Sequence, residues 1–305
     1  MRRLLGQNAS AATCKSESDD FVRGGEFPCL SPAYAQVIQR QLNVVADCLE
    51  IDPKQMIPKI KKESGFIQNA IGPGEDAGIG QLTHKALDQI EKALPIYRHF
   101  ILKNSKQKAS CAILSTFDQK IFGIKKDLRH HRCQIIAGPD NPLRAIMFTA
   151  VLLKDMRILT DHDLTHFRVF DLLETAGLKS QQYDHGHLVD LLTNMAYNSG
   201  SSDAVHLLRQ YAGARSVAYS HGEAAALSLR DFNFKEDLTW INQIPSSNWK
   251  TIPISQLSFP GYVKIYNQIG SPGYLSDTMT EIYKLNNRLG NGVCAPSLIE
   301  GYLAL

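Results

Sequence analysis

Apolar and polar positions alternate along most of this chain with the period of an α-helix. Tyr34, Val37, Ile38, Leu42 and Val45 fall on one face of residues 31–49, which open with Ser31, a cap residue, and Pro32, whose fixed φ suits a first helical turn. Asp52 and Pro53 repeat that start. In the helix they open, Met56, Ile60 and Glu63 share one side, with Ile57 and Ser64 beside them. Lys54, Lys59, Lys61 and Lys62 are expected on the other side. Pro58 removes a hydrogen bond inside this helix and predicts a kink. Another helix is expected from about His84 to Ile101, with Leu87, Ile90 and Leu94 inward. After the turn Pro139-Asp140-Asn141-Pro142, a core helix runs through Leu143, Ile146, Met147, Ala150, Val151 and Lys154. The stretch TDHDLTHFRVFDLLETAG reads as a further helix ended by Gly177. Leu188, Leu191, Leu192 and Met195 form the stripe of the next, stopped by Gly200, after which Val205, Leu207, Leu208 and Tyr211 resume the pattern. Residues 212–257 carry few periodic signals, and one more helix is expected from Met279 to Leu289. The pattern predicts a mainly α protein.

The 305 residues are 44% hydrophobic and carry a net charge of +3. That is enough apolar material for a sizeable core, in one large domain or two, and too little charge to argue for nucleic acid. No apolar run reaches the length of a membrane span. The opening MRRLLGQNASAATC has two arginines and small residues near Cys14, but its apolar segment is too short for a working signal peptide; residues 1–30 are expected to form a flexible polar leader. Cysteines stand at positions 14, 29, 48, 111, 133 and 294 without a CxxC pair, which excludes zinc-finger and thioredoxin motifs. An even number suits disulfides in an oxidising compartment, and buried free thiols are the alternative. Cys111 and Cys133 bracket a segment within the basic, less regular residues 102–137 and are the first pair expected.

Candidate chemistry concentrates in ESGFIQNAIGPGEDAGIGQLT, residues 63–83. Glu63 ends a helix on its apolar face, where scarce water should raise its pKa and keep it protonated long enough to act as an acid. Gly72-Pro73-Gly74 and Ala77-Gly78-Ile79-Gly80 allow close backbone approach or positive φ. Elsewhere, His162 and His166 are spaced to share a helix face, with Asp161, Asp163, Asp184, His185 and His187 nearby in sequence. No H-E-x-x-H is present, and adjacent His130 and His131 point to different sides of any helix, so no metal is expected. Trp240 and Trp249 suit either stacking on sugar rings or a place in the core.

Glu63-Ser64, the Gly72-Pro73 loop, Gly78-Ile79-Gly80-Gln81 and Ala196-Tyr197-Asn198 occur in the order seen in the soluble lytic transglycosylase domain of the goose-type lysozyme superfamily (glycoside hydrolase family 23), which the chain resembles. The family shows Glu-Ser, a Ser-Pro loop, Gly-Leu-Met-Gln and Ala-Tyr-Asn. The resemblance implies a lysozyme-like fold over residues 31–270, with a basic insertion at about 102–137 and a C-terminal helical extension over 271–305. It implies a peptidoglycan lytic transglycosylase with Glu63 as single general acid and base, no metal and no cofactor. Ser64, Gly78, Ile79, Gly80, Gln81, Tyr197, Asn198 and Tyr262 would bind substrate. Tyr262 enters on a match of Tyr262-Val263 to the family's closing helix, although the Glu-Thr expected before it is missing. Ser199 stands in place of an Ala; Gly72 replaces the usual Ser and Gly80 the usual Met, so the sugar subsite is expected to be looser. The implied partner is the glycan strand, met by a monomer in the periplasm or outside the cell, with transient contact to membrane or wall machinery and none to nucleic acid. Glu75 and Asp76 leave room for a goose-type hydrolase that positions a water, and an inactive glycan-binding protein is the third reading.

Overall fold

The computed structural model describes residues 32–66, 70, 76–116, 142–232 and 243–266. The expected leader 1–30, most of the insertion, Cys133, Trp240, Gly72 to Glu75 and the extension 271–305 lie outside the described residues. What is described is mainly helical; among these residues there is no strand, only an isolated antiparallel bridge between Ala77 and Leu82. No helix of the described residues is long and apolar enough to cross a membrane. The chain divides into two compact units, Met1–Lys154 with Glu281–Leu305, and Asp155–Thr280.

In the first unit lie α1 (Pro32–Leu49), α2 (Pro53–Ser64), α3 (His84–Asn104), α4 (Ala109–Ser115) and the opening of α5 (Leu143–His166). Most of the expected inward positions hold, Val37 of α1 being half-buried. Ile38, Leu42 and Val45 of α1, Leu87, Ile90 and Leu94 of α3, and Ile146, Met147, Ala150 and Val151 of α5 are all buried. Thr83 caps α3 by accepting from the Ala86 amide at 3.2 Å. Pro58 sits inside α2, which stays a single helix. α1 packs against α2, α3 and α4.

Cys48 of α1 and Cys111 of α4 form a disulfide across 63 residues. This corrects the pairing of Cys111 with Cys133. The physical reason is helix packing: both sulfur-bearing residues lie fully buried where α1 meets α4. The same contact carries a Lys108–Glu50 ion pair at 2.6 Å and a hydrogen bond from Ser110 to Asp47. The Lys154 ammonium closes the unit's edge by donating to the Leu49 carbonyl.

The second unit holds the rest of α5, then α6 (Val169–Thr175), α7 (His185–Ser199), α8 (Ser201–Ser220) and α9 (Phe259–Tyr266), with short 3-10 turns between. The separate helix expected over TDHDLTHFRVFDLLETAG does not form as such. Its first half continues α5, because Thr160 and Leu164 extend the buried stripe and nothing earlier breaks the helix. The break falls at Phe167-Arg168, where Arg168 takes φ 53°, and α6 follows. Gly177 ends that region at φ +96°; a Cβ there would meet the Ala226 side chain at 2.5 Å.

α8 extends to Ser220, well into the stretch that lacked periodicity. Its hidden face includes Arg215 and Ser216, polar residues that a search for apolar spacing passes over. Arg215 donates to the carbonyls of Ser255 (3.0 Å), Leu257 (3.2 Å) and Ala225 (3.1 Å), and lies 3.6 Å from the Asp231 carboxylate. The Tyr211 hydroxyl donates to Leu257 as well, at 2.9 Å. Together they hold the turn before α9 onto α8.

Candidate active site

The last turn of α2 places Glu63 and Ser64 side by side, both buried, Glu63 at 9% exposure. Gly65 follows at φ 59° and donates to the Lys61 carbonyl at 3.0 Å, which is how helices end on a left-handed residue. Phe66 takes φ 67°, so the chain turns sharply just after the acid.

The Ala77–Leu82 segment is a tight loop closed by its own backbone. Ala77 and Leu82 exchange hydrogen bonds at 3.2 and 2.9 Å, and Gly78 donates to the Ala70 carbonyl at 2.8 Å. Gly78 takes φ 75° and Gln81 φ 47°. Glycine suits the first; Gln81 is held there by its side chain, whose amide nitrogen donates to the carbonyls of Gly78 (2.9 Å) and Ala70 (3.1 Å). Both amide protons are thereby engaged within the loop. The Gln81 Oε1 is buried and has no hydrogen-bond partner among the described residues.

Ser64 joins helix to loop. Its hydroxyl donates to the Ile79 carbonyl at 2.7 Å, with the Ile60 carbonyl farther away at 3.4 Å. Ile79 itself is fully buried and anchors the loop in the core. Glu63 and Ser64 of α2 and Gly78, Ile79, Gly80 and Gln81 of the loop are all buried in the first unit, and the Ser64–Ile79 hydrogen bond joins helix and loop.

One buried residue of α2 was not recognised as such in the sequence. Lys59, expected among the solvent-facing lysines, is 0% exposed, which corrects that assignment. Burial pushes its ammonium down to about 7, against the opposing pull of the Glu63 carboxylate. The spacing carried the signal: Lys59 lies three residues after Met56 and four before Glu63, on the apolar face. Asp76, at the mouth of the loop, is buried too.

The other predicted residues belong to the second unit. Tyr197 and Asn198 sit on the last turn of α7, Tyr197 half-buried and Asn198 exposed, before Gly200 at φ 95°. Tyr262 is buried in α9, where its hydroxyl donates to Gln210 of α8 at 3.3 Å and its ring stacks on Tyr266 at 4.7 Å. Burial pushes that hydroxyl's pKa up, with Tyr266 adding to the shift. Trp249 donates its indole N–H to the Ile244 carbonyl at 2.9 Å and has the Lys264 ammonium 5.3 Å from its ring centre. His162 and His166 stack at 5.8 Å on α5. Among the described residues no group of three His, Cys, Asp or Glu is placed to hold a metal ion.

Compared with known proteins, the chain matches no family model, no curated protein and no solved structure. The family resemblance therefore rests on the motif residues alone.

Proposed function

We propose that this protein is a peptidoglycan lytic transglycosylase with a lysozyme-like fold, in which Glu63 is the sole acid and base. One observation carries the reading: a buried carboxyl on the last turn of α2, with the adjoining Ser64 tied to the Gly78–Gln81 loop. A glycosidic bond needs a proton on its leaving oxygen and support for positive charge at C1. Protonated Glu63 gives its proton to the oxygen between N-acetylmuramic acid and N-acetylglucosamine, and the C1–O bond breaks. The resulting carboxylate takes the proton of the muramic C6 hydroxyl, whose oxygen closes on C1. A 1,6-anhydro end forms, Glu63 regains its proton, and no water is consumed. In this reading the Gln81 Oε1 accepts from the sugar, while Ser64 and the Gln81 amide keep the loop in place. Tyr197, Asn198 and Tyr262 are assigned to glycan binding on the resemblance. The Cys48–Cys111 bond supports a periplasmic or secreted location.

The buried Asp76 favours a second reading, hydrolysis of the same bond by a water that this carboxylate positions. Mass spectrometry of muropeptides released from purified peptidoglycan separates the two. Anhydro ends from the wild type and none from Glu63→Gln are expected. Reducing ends would make the enzyme a hydrolase. No product from a folded wild type on several wall types would leave glycan binding without catalysis.

A further inference from the structure

α3 packs Leu87, Ile90, Leu94 and Ile101 inward and leaves a long face outside. On that face Lys85, Lys92, Ile96 and Lys103 form a single row, because spacings of seven, four and seven residues are close to whole helical turns. All four side chains are exposed, and Ile96, at 69%, is the most exposed large apolar side chain among the described residues. Pro95 and Leu102 widen the apolar part, and Lys106 stands exposed just past the end of the helix. None of these lysines has an acidic partner among the described residues. The acids of the helix are Asp88, exposed and 3.5 Å from His84, and Glu91, half-buried to one side of the row. The whole chain carries a net charge of only +3, so the three lysines of the row gather on one surface as much positive charge as the chain has in excess.

We propose that this face of α3 is a docking surface for an anionic lipid bilayer, on which the helix lies in the plane of the headgroups. Two features choose that partner. The ammonium groups complement lipid phosphates, and a rigid row about 27 Å long meets several headgroups at once. The apolar side chains between the lysines favour lipid over a hydrated anionic polymer, because Ile96 sheds its water only against acyl chains. Lysine stems lie along the same boundary while their ammonium groups stay in water. A scattered set of charges would not do this; here the helix holds charge and apolar surface on one side, opposite the side that it buries. Docking in this way needs nothing from the glycan chemistry of Glu63.

Co-sedimentation of the full chain with vesicles tests it. One set is phosphatidylcholine alone; the other is two parts phosphatidylcholine to one part phosphatidylglycerol, each at low and at physiological salt. The expected result is binding to the anionic vesicles that weakens as salt rises, and little binding to the neutral ones. The triple variant Lys85→Gln, Lys92→Gln, Lys103→Gln should bind about a hundredfold more weakly, since each lysine near an anionic surface is worth about fivefold in affinity. Ile96→Ser should bind several-fold more weakly at either salt concentration, because what it removes is apolar. All four positions are exposed, so both variants keep the helical circular dichroism of the wild type. Docking on lipid is overturned if the anionic vesicles bind no protein, whether or not a purified anionic wall polymer retains it. It is overturned equally if neutral vesicles bind as well, or if either variant binds like the wild type.

Discussion

Lys59 weakens the fold at neutral pH and the loss is recovered in alkali. Its ammonium titrates near 7 when folded and near 10.5 when unfolded. Between those values the unfolded chain binds more protons, so stability rises with pH across that window, by about 5 kcal/mol at most. Below about 7 the penalty of enclosing the charge is present in full. Urea denaturation of wild type from pH 7 to pH 10 should show this rise, and Lys59→Met should flatten it. The residue also teaches how sequence patterns are read. Spacing placed position 59 on the apolar face beside Met56 and Glu63, whereas residue type placed it in water. Spacing prevailed, because helix geometry fixes where a side chain starts and a lysine buried with a carboxylate is electrostatically tolerable.

At the scale of elements, helix ends and faces were legible wherever apolar residues marked them. Pro32, Pro53, Thr83 and Gly200 punctuate α1, α2, α3 and α7 as their chemistry requires. α8 was cut short in the sequence because its buried face turns polar at Arg215 and Ser216. The pairing of Cys48 with Cys111 lay beyond sequence reach, since it depends on α1 packing against α4 across 63 residues. A bond spanning that separation restricts the unfolded chain strongly. The double variant Cys48→Ala, Cys111→Ala should lose about 4 kcal/mol in denaturant unfolding under oxidising conditions. Unchanged stability would show that this pair does not form in solution.

For the whole molecule, two compact units imply that damage in one is felt mainly in that one. Gly177 belongs to the second unit, at φ +96° with no room for a Cβ. Gly177→Ala should speed amide hydrogen exchange in α8 and α9 more than in α1 and α4. The cysteine double variant should do the reverse. Uniform loss of protection from either change would mean that the units unfold as one. The motif residues are divided in the same way, with the Glu63 and Gly78–Gln81 blocks in the first unit and Tyr197, Asn198 and Tyr262 in the second. Because Asn198 is exposed, Asn198→Ala separates a role in glycan binding from one in folding.

By itself the sequence determined the helical class, most helix starts and the candidate acid. Each depends on local spacing: apolar period, caps, and a carboxyl placed on an apolar face before a glycine loop. Tertiary structure alone decided the disulfide partner, the continuation of α5 through Thr160 and Leu164, the inward turn of Asp76, and the engagement of both Gln81 amide protons within the loop. Those features arise between segments distant in sequence, or from polar groups whose burial depends on the neighbours that satisfy them. Spacing along the chain carries no information about either.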